Sequence, residues 1–85
     1  LFMDEEYMRG RLASSKKDDI IRYDDPNFGK CYIVVERVEN GIVDGEMSSH
    51  IGVNSISIDD LIKANAEVPI GWKSNKDPEG NSGGA

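Results

Sequence analysis

Residues 30–47 read KCYIVVERVENGIVDGEM, and the fold turns on how this stretch pairs with itself. Its first half, Lys30 to Val38, is crowded with β-branched and aromatic side chains that suit a pleated, half-buried surface. Asn40-Gly41 then supplies the dipeptide favoured in two-residue hairpin turns, because both central positions require positive φ. Ile42 to Met47 returns as the partner strand. A regular ladder from this turn pairs Val38 with Val43, Glu36 with Gly45 and Val34 with Met47 on one face, with Tyr32 near Ser49. The other face pairs Arg37 with Asp44, Val35 with Glu46 and Ile33 with Ser48. The first face is the more apolar and is expected to meet the core. Arg37–Asp44 is then a surface ion pair, worth ~0.2–1 kcal/mol.

Outward from the hairpin, a short helix is expected near 58–65. Ser57 suits the N-cap, Asp59 and Asp60 suit the positive N-terminal end, and Ile58, Leu61 and Ile62 fall on one stripe. Asn65 tolerates a left-handed backbone and is a natural stop. Asp19 to Tyr23 reads as a strand, and Asp24 to Gly29 as turn chemistry leading into the hairpin. His50 to Val53 extends the sheet until Asn54-Ser55 interrupts it. Asp4 to Ala13 fits a helix slightly better than a strand. Val68 to Trp72 reads as extended, with Trp72 closing the core or anchoring a partner.

These elements predict an α+β fold: a small antiparallel sheet built on the hairpin at Asn40-Gly41, with one short helix on a face. An SH3-like, partly open barrel is the alternative reading of the same strand pattern. Residues 1–72 are expected to form one small domain, with a peripheral helix within 1–18, and residues 73–85 (KSNKDPEGNSGGA), which carry no large apolar side chain, a flexible tail. A chain opening on Leu1-Phe2 ahead of Met3 is read as processed, as cut from a larger parent, or as carrying two added residues.

The 85 residues carry 10 Lys+Arg against 16 Asp+Glu, a net charge of −6. Residues 1–25 sum to 5 − 7 = −2, residues 26–56 to 2 − 4 = −2, and residues 57–85 to 3 − 5 = −2. This balance disfavours a general nucleic-acid binder, which gains affinity from clustered cations on phosphates. No apolar run approaches the roughly 20 residues of a membrane helix, so no membrane insertion is expected. A lone cysteine with no glycosylation acceptor points to an intracellular, reducing compartment.

Three constellations invite chemistry and fall short of it. The regular ladder places Cys31 opposite His50, which would suit a thiolate nucleophile, but nothing nearby in sequence would hold an oxyanion. Asp24, Asp25 and Asn27 lose the spacing of a calcium loop at Gly29. Arg9, Arg11, Lys16 and Lys17 are flanked by acids on both sides. No catalytic set, metal site or cofactor is therefore expected. The sequence-level expectation is a non-catalytic protein–protein interaction module or small accessory subunit, with Trp72, Ile70, Val68 and Tyr32 touching the partner. Asn40, Gly41 and Ser57 serve as structural turn and cap. A small acidic inhibitor of the phage type, imitating DNA to block a basic site, is the alternative.

Overall fold

Asn40 and Gly41 adopt φ of 54° and 75°, the left-handed pair that their sequence predicts, and the chain reverses there. The computed structural model describes residues 5–69. In chain order it holds α1 (Glu5–Ala13), β1 (Ile20–Asp25), β2 (Gly29–Glu39), β3 (Ile42–Met47), β4 (Val53–Ser57) and α2 (Ile58–Lys63). The four strands form an antiparallel meander in the order β1-β2-β3-β4. This is the expected α+β arrangement, with an open sheet rather than the barrel alternative. Among the described residues, no helix is long and apolar enough to cross a membrane. Ile70, Trp72 and the tail 73–85 lie outside the described residues, as does Leu1-Phe2.

The hairpin register departs from the regular ladder at one residue. Val38 pairs with Val43 and Arg37 with Asp44 as expected, but Val35 then pairs with Gly45, Val34 with Glu46 and Ile33 with Met47. Glu36 is the extra residue of a β-bulge. The bulge shifts the side-chain phase of β2. Val38 faces the core on one side of it, and Cys31, Ile33 and Val35 face the core on the other. The expected inner face of Val34, Tyr32 and Glu36 is therefore corrected. The physical reason lies in the spacing of the best core residues, which stand at 31, 33, 35 and 38 and cannot all face inward on an unbroken alternation.

Both helices cover the same face of the sheet. Leu12 of α1 and Ile58 and Leu61 of α2 join Ile21, Tyr23, Cys31, Ile33, Val35, Val43 and Ala66 in a single cluster, with Met8 and Ile62 packed against it. Helix α1 is read correctly from sequence: Glu5 and Glu6 lie in its first turn and Arg11 in its last, and Arg9 pairs with Glu5 at 3.0 Å and with Asp59 of α2 at 2.6 Å. At the start of α2 the Ser57 hydroxyl accepts from the Asp60 amide at 3.0 Å. Asn65 stops the helix with φ of 56°.

Two boundaries differ from expectation. Strand β1 runs on to Asp25, whose carboxylate then accepts from the amides of Asn27 and Phe28 at 2.7 and 3.0 Å. That side-chain turn occupies the carboxylate the calcium reading would need. Strand β4 begins at Val53 and continues through Asn54-Ser55 instead of breaking there. Pairing to β3 from Ile42↔Ser57 to Glu46↔Val53 overrides the weak β-propensity of Asn and Ser.

Candidate functional site

The two edges of the sheet are treated differently by the chain. After α2 the backbone returns beside β1. Arg22 and Glu67 exchange both amide–carbonyl hydrogen bonds at 2.9 Å, and the Asp24 amide donates to the Ala64 carbonyl at 2.8 Å. The β1 edge is thus covered. At the other edge, among the described residues, no backbone group pairs with the outer side of β4.

The ladder phase identifies which groups are left facing outward. The Ile58 amide donates to the Gly41 carbonyl at 2.9 Å, so Gly41 and Ile58 are a hydrogen-bonded pair. Antiparallel ladders alternate, which makes Val43–Ile56 and Gly45–Asn54 the next bonded pairs. Val53 and Ser55 then direct both N–H and C=O away from the sheet, and Ser57 directs its N–H there. Natural edge strands are commonly blunted by Pro, Lys or a bulge. VNSIS carries none of these. Ile51, just before the strand, is fully exposed at 102%, and Val53 is 61% exposed.

The edge continues onto the sheet face that, among the described residues, no helix covers. Across that face the registers align Ile20, Val34, Glu46 and Val53 in one row. Tyr32, 46% exposed, stands beside this row, its amide donating to the Ser48 hydroxyl at 3.0 Å. A hollow of about 300 Å³ opens there, lined by Tyr32, Val34, Glu46, Met47, His50 and Gly52 among others. One row further along, the Ser55 hydroxyl donates to the Asp44 carboxylate at 2.5 Å and Arg37 approaches the same group at 3.3 Å. The Ser55 hydrogen bond first, and Arg37 second, hold the Asp44 carboxyl below its ordinary value. Because the folded pKa is the lower one, this contribution to stability is present above the unfolded pKa and fades as pH falls through the folded value.

The sequence-predicted residues do not converge on one patch. Tyr32 lies on the uncovered face as a partner-binding residue would. Val68 packs against the core, and its carbonyl accepts from Arg11 at 3.3 Å, so the sheet separates it from Tyr32. Ile70 and Trp72 lie outside the described residues. Sequence reasoning passed over Ile51, Val53, Ser55 and Glu46. The available signal was a strand-length run, 51–57, without a single charge or proline.

Other constellations resolve into structure. Cys31 pairs with Tyr23 and is buried in the core, whereas His50 sits exposed in the loop after β3. The His50 ring contacts Ser49 Oγ at 2.9 Å through Nδ1 and meets Phe28 edge-on at 6.3 Å. The bulge at Glu36 has removed the register that would set Cys31 and His50 opposite one another. Among the described residues, no group of three or more His, Cys, Asp or Glu could hold a metal ion. A hollow of about 480 Å³ between β1 and α2 brings Asp24, Asp25, Asp60 and Lys63 together. Asp24 is tied to Lys30 at 2.9 Å, which lowers its pKa, and Asp25 to its own turn.

Tyr23 is 3% exposed; the Ser49 hydroxyl and the Cys31 thiol lie near its hydroxyl, neither close enough to make a well-formed hydrogen bond, and burial pushes its pKa up against the opposing influence of Ser49. An orphaned buried hydroxyl costs ~1–3 kcal/mol. Tyr23→Phe is therefore expected to melt at the same temperature as the parent or higher. A clear drop in melting temperature would show that the hydroxyl has a partner in solution. Comparison with known protein families, with curated proteins and with solved structures finds no match to this chain.

Proposed function

We propose that this chain is a non-catalytic protein–protein interaction module, a small accessory subunit that takes an extended segment of its partner along β4. The observation that supports this reading most directly is the outward N–H and C=O groups of Val53 and Ser55 on an edge that carries no charge or proline and, among the described residues, no cover. Added strands gain main-chain hydrogen bonds from such an edge, and alternate side chains gain specificity from the flanking face. The exposed Ile51, Val53 and Tyr32 supply apolar surface beside it.

Ser55→Pro tests the proposal. It removes the donor at the centre of the outward edge, and proline is tolerated where an edge N–H faces solvent. The expected result is loss of the native partner, recovered by co-purification from the source, at about tenfold weaker affinity or worse. The melting temperature should fall no further than that of Ser55→Ala, which likewise loses the hydroxyl's hydrogen bond to Asp44 but keeps the N–H. Retention of the partner with unaltered affinity would sink strand addition at β4.

The acidic-inhibitor reading keeps one observation in its favour. No Lys or Arg stands between Arg37 and Lys63, while Glu39, Asp44, Glu46, Asp59 and Asp60 do, so the stretch sums to 0 − 5 = −5. Arg37 and Arg9 reach in from outside to pair with Asp44 and Asp59. Charge mimicry would make binding collapse between low and moderate salt and would make DNA a competitor. Strand addition survives both.

A further inference from the structure

The turn that closes the hairpin carries groups that nothing holds. Asn40 and Gly41 are exposed and lie between the paired residues Glu39 and Ile42. Among the described residues, no hydrogen bond engages the Asn40 side chain, the Asn40 carbonyl or the Gly41 amide. The other described asparagines differ. The amide after Asn27, that of Phe28, donates to the Asp25 carboxylate at 3.0 Å. The amide after Asn65, that of Ala66, donates to the Leu61 carbonyl at 3.0 Å. The Asn54 side chain donates to the Gly52 carbonyl at 3.2 Å, and the residue after it, Ser55, carries a Cβ that crowds its own nitrogen.

An asparagine side chain closes a five-membered ring when the next backbone nitrogen swings round to face its Cγ. That requires ψ of about −120° at the asparagine, the value at the first central position of a type II′ turn. The φ pair of 54° and 75° belongs to the type I′ form, whose ψ there is about +30°. Rotating the single peptide between Asn40 and Gly41 interconverts the two forms, and both close a two-residue hairpin. Asparagine tolerates the positive φ that each form needs at this position. The rotation leaves the Gly41 carbonyl in place, so its bond from the Ile58 amide at 2.9 Å survives. No strand has to open.

We propose that Asn40 is a site of spontaneous deamidation, reached through this peptide rotation in the folded chain. The Gly41 nitrogen attacks the Asn40 side-chain carbonyl carbon, forming the C–N bond of a succinimide. The side-chain amide nitrogen leaves as ammonia, taking up the proton that the Gly41 nitrogen loses. Water then opens the ring at either carbonyl and leaves aspartate or isoaspartate at position 40. Isoaspartate threads an extra carbon into the main chain of a turn that has two residues and no slack. It strains the Glu39–Ile42 rung and the Gly41–Ile58 bond, which ties the junction of β4 and α2 to the hairpin. Either product adds a negative charge beside Glu39 to a chain already at −6. None of this depends on what β4 binds.

The full chain, aged at physiological temperature and pH and mapped by mass spectrometry of its peptides, tests the site. Product should appear at Asn40 before Asn27, Asn54 or Asn65. Asn40→Gln, whose longer side chain closes the ring poorly, should show none there. Urea below the unfolding transition tests the route. Each molar multiplies the unfolded fraction about fivefold or more, whereas the rate at Asn40 should stay flat. The isoaspartate form, separated by anion exchange, should melt about 4–8 °C below the parent or lower. Aged Asn40→Gln should keep its own melting temperature. Product at Asn40 no faster than at Asn54 overturns the site. A rate that climbs in step with the unfolded fraction overturns the peptide rotation. An isoaspartate form that melts with the parent overturns the strain on the junction of β4 and α2.

Discussion

Leu61→Ala is expected to remove about 2–5 kcal/mol of stability, the range for truncating a fully buried leucine. Leu61 has no exposed surface and, with Ile58, is how α2 enters the core. The helix has only 6 residues, too few to persist alone in water, so its docking is what keeps it formed. A core on this scale typically yields a net ~3–5 kcal/mol. The loss is therefore comparable with the whole margin, and the variant should be largely unfolded or melt far below the parent by far-ultraviolet circular dichroism. Ile62→Ala, on the half-buried flank of the same stripe, should lose less. Equal, small effects of both substitutions would mean that α2 does not hold the core as described.

Gly45→Ala is expected to destabilise by ~1–3 kcal/mol, the usual penalty for overfilling a packed site. A methyl group built on Gly45 would collide with the backbone carbonyl oxygen of Val34 and stand 2.9 Å from Ile33 Cγ1. The obstruction is backbone, in the strand already bent by the bulge, so neither partner has an easy retreat. Two effects act the other way: alanine stiffens the unfolded chain, by ~0.4–1 kcal/mol, and suits a strand better than glycine. The collision is the larger effect. For a domain of this size each kcal/mol moves the melting temperature by roughly 4–8 °C, so the shift is readily measured. An unchanged melting temperature would show that β2 and β3 separate at no penalty, and that the bulge is soft.

The parts of the fold that were legible in sequence are those encoded locally. Asn40-Gly41 specifies its turn by the φ angles it tolerates, Ser57 its cap by a hydroxyl at the right offset, and Asp25 its side-chain turn. The bulge at Glu36 was not legible from the turn, because a hairpin turn sets only the first few pairs. Beyond it, the register follows whichever alignment buries Cys31, Ile33 and Val35 together with Val38. The jump from 35 to 38 in that series was the available sign. Strand β4 was hidden for another reason: Asn54 and Ser55 argue against a strand on their own, and only β3 beside them makes one. The candidate site inherited both errors. Tyr32 was named, but its neighbours Glu46 and Val53 depend on a register that lies on the far side of the bulge.

Strand β4 ends at Ser57 and helix α2 begins at Ile58, with no residue between them to act as slack. Ser57 belongs to both elements at once, as the strand's last rung and the helix's cap. Whatever clamps the strand therefore also resists fraying of the helix, and through it the return of Glu67 to β1 on the opposite margin. Occupancy at one side of the molecule is then readable as heat resistance of the whole. A segment held on β4 at a hundred times its dissociation constant would add about 2.7 kcal/mol to the unfolding free energy. A simple melting curve can thus test whether an added segment is held on β4.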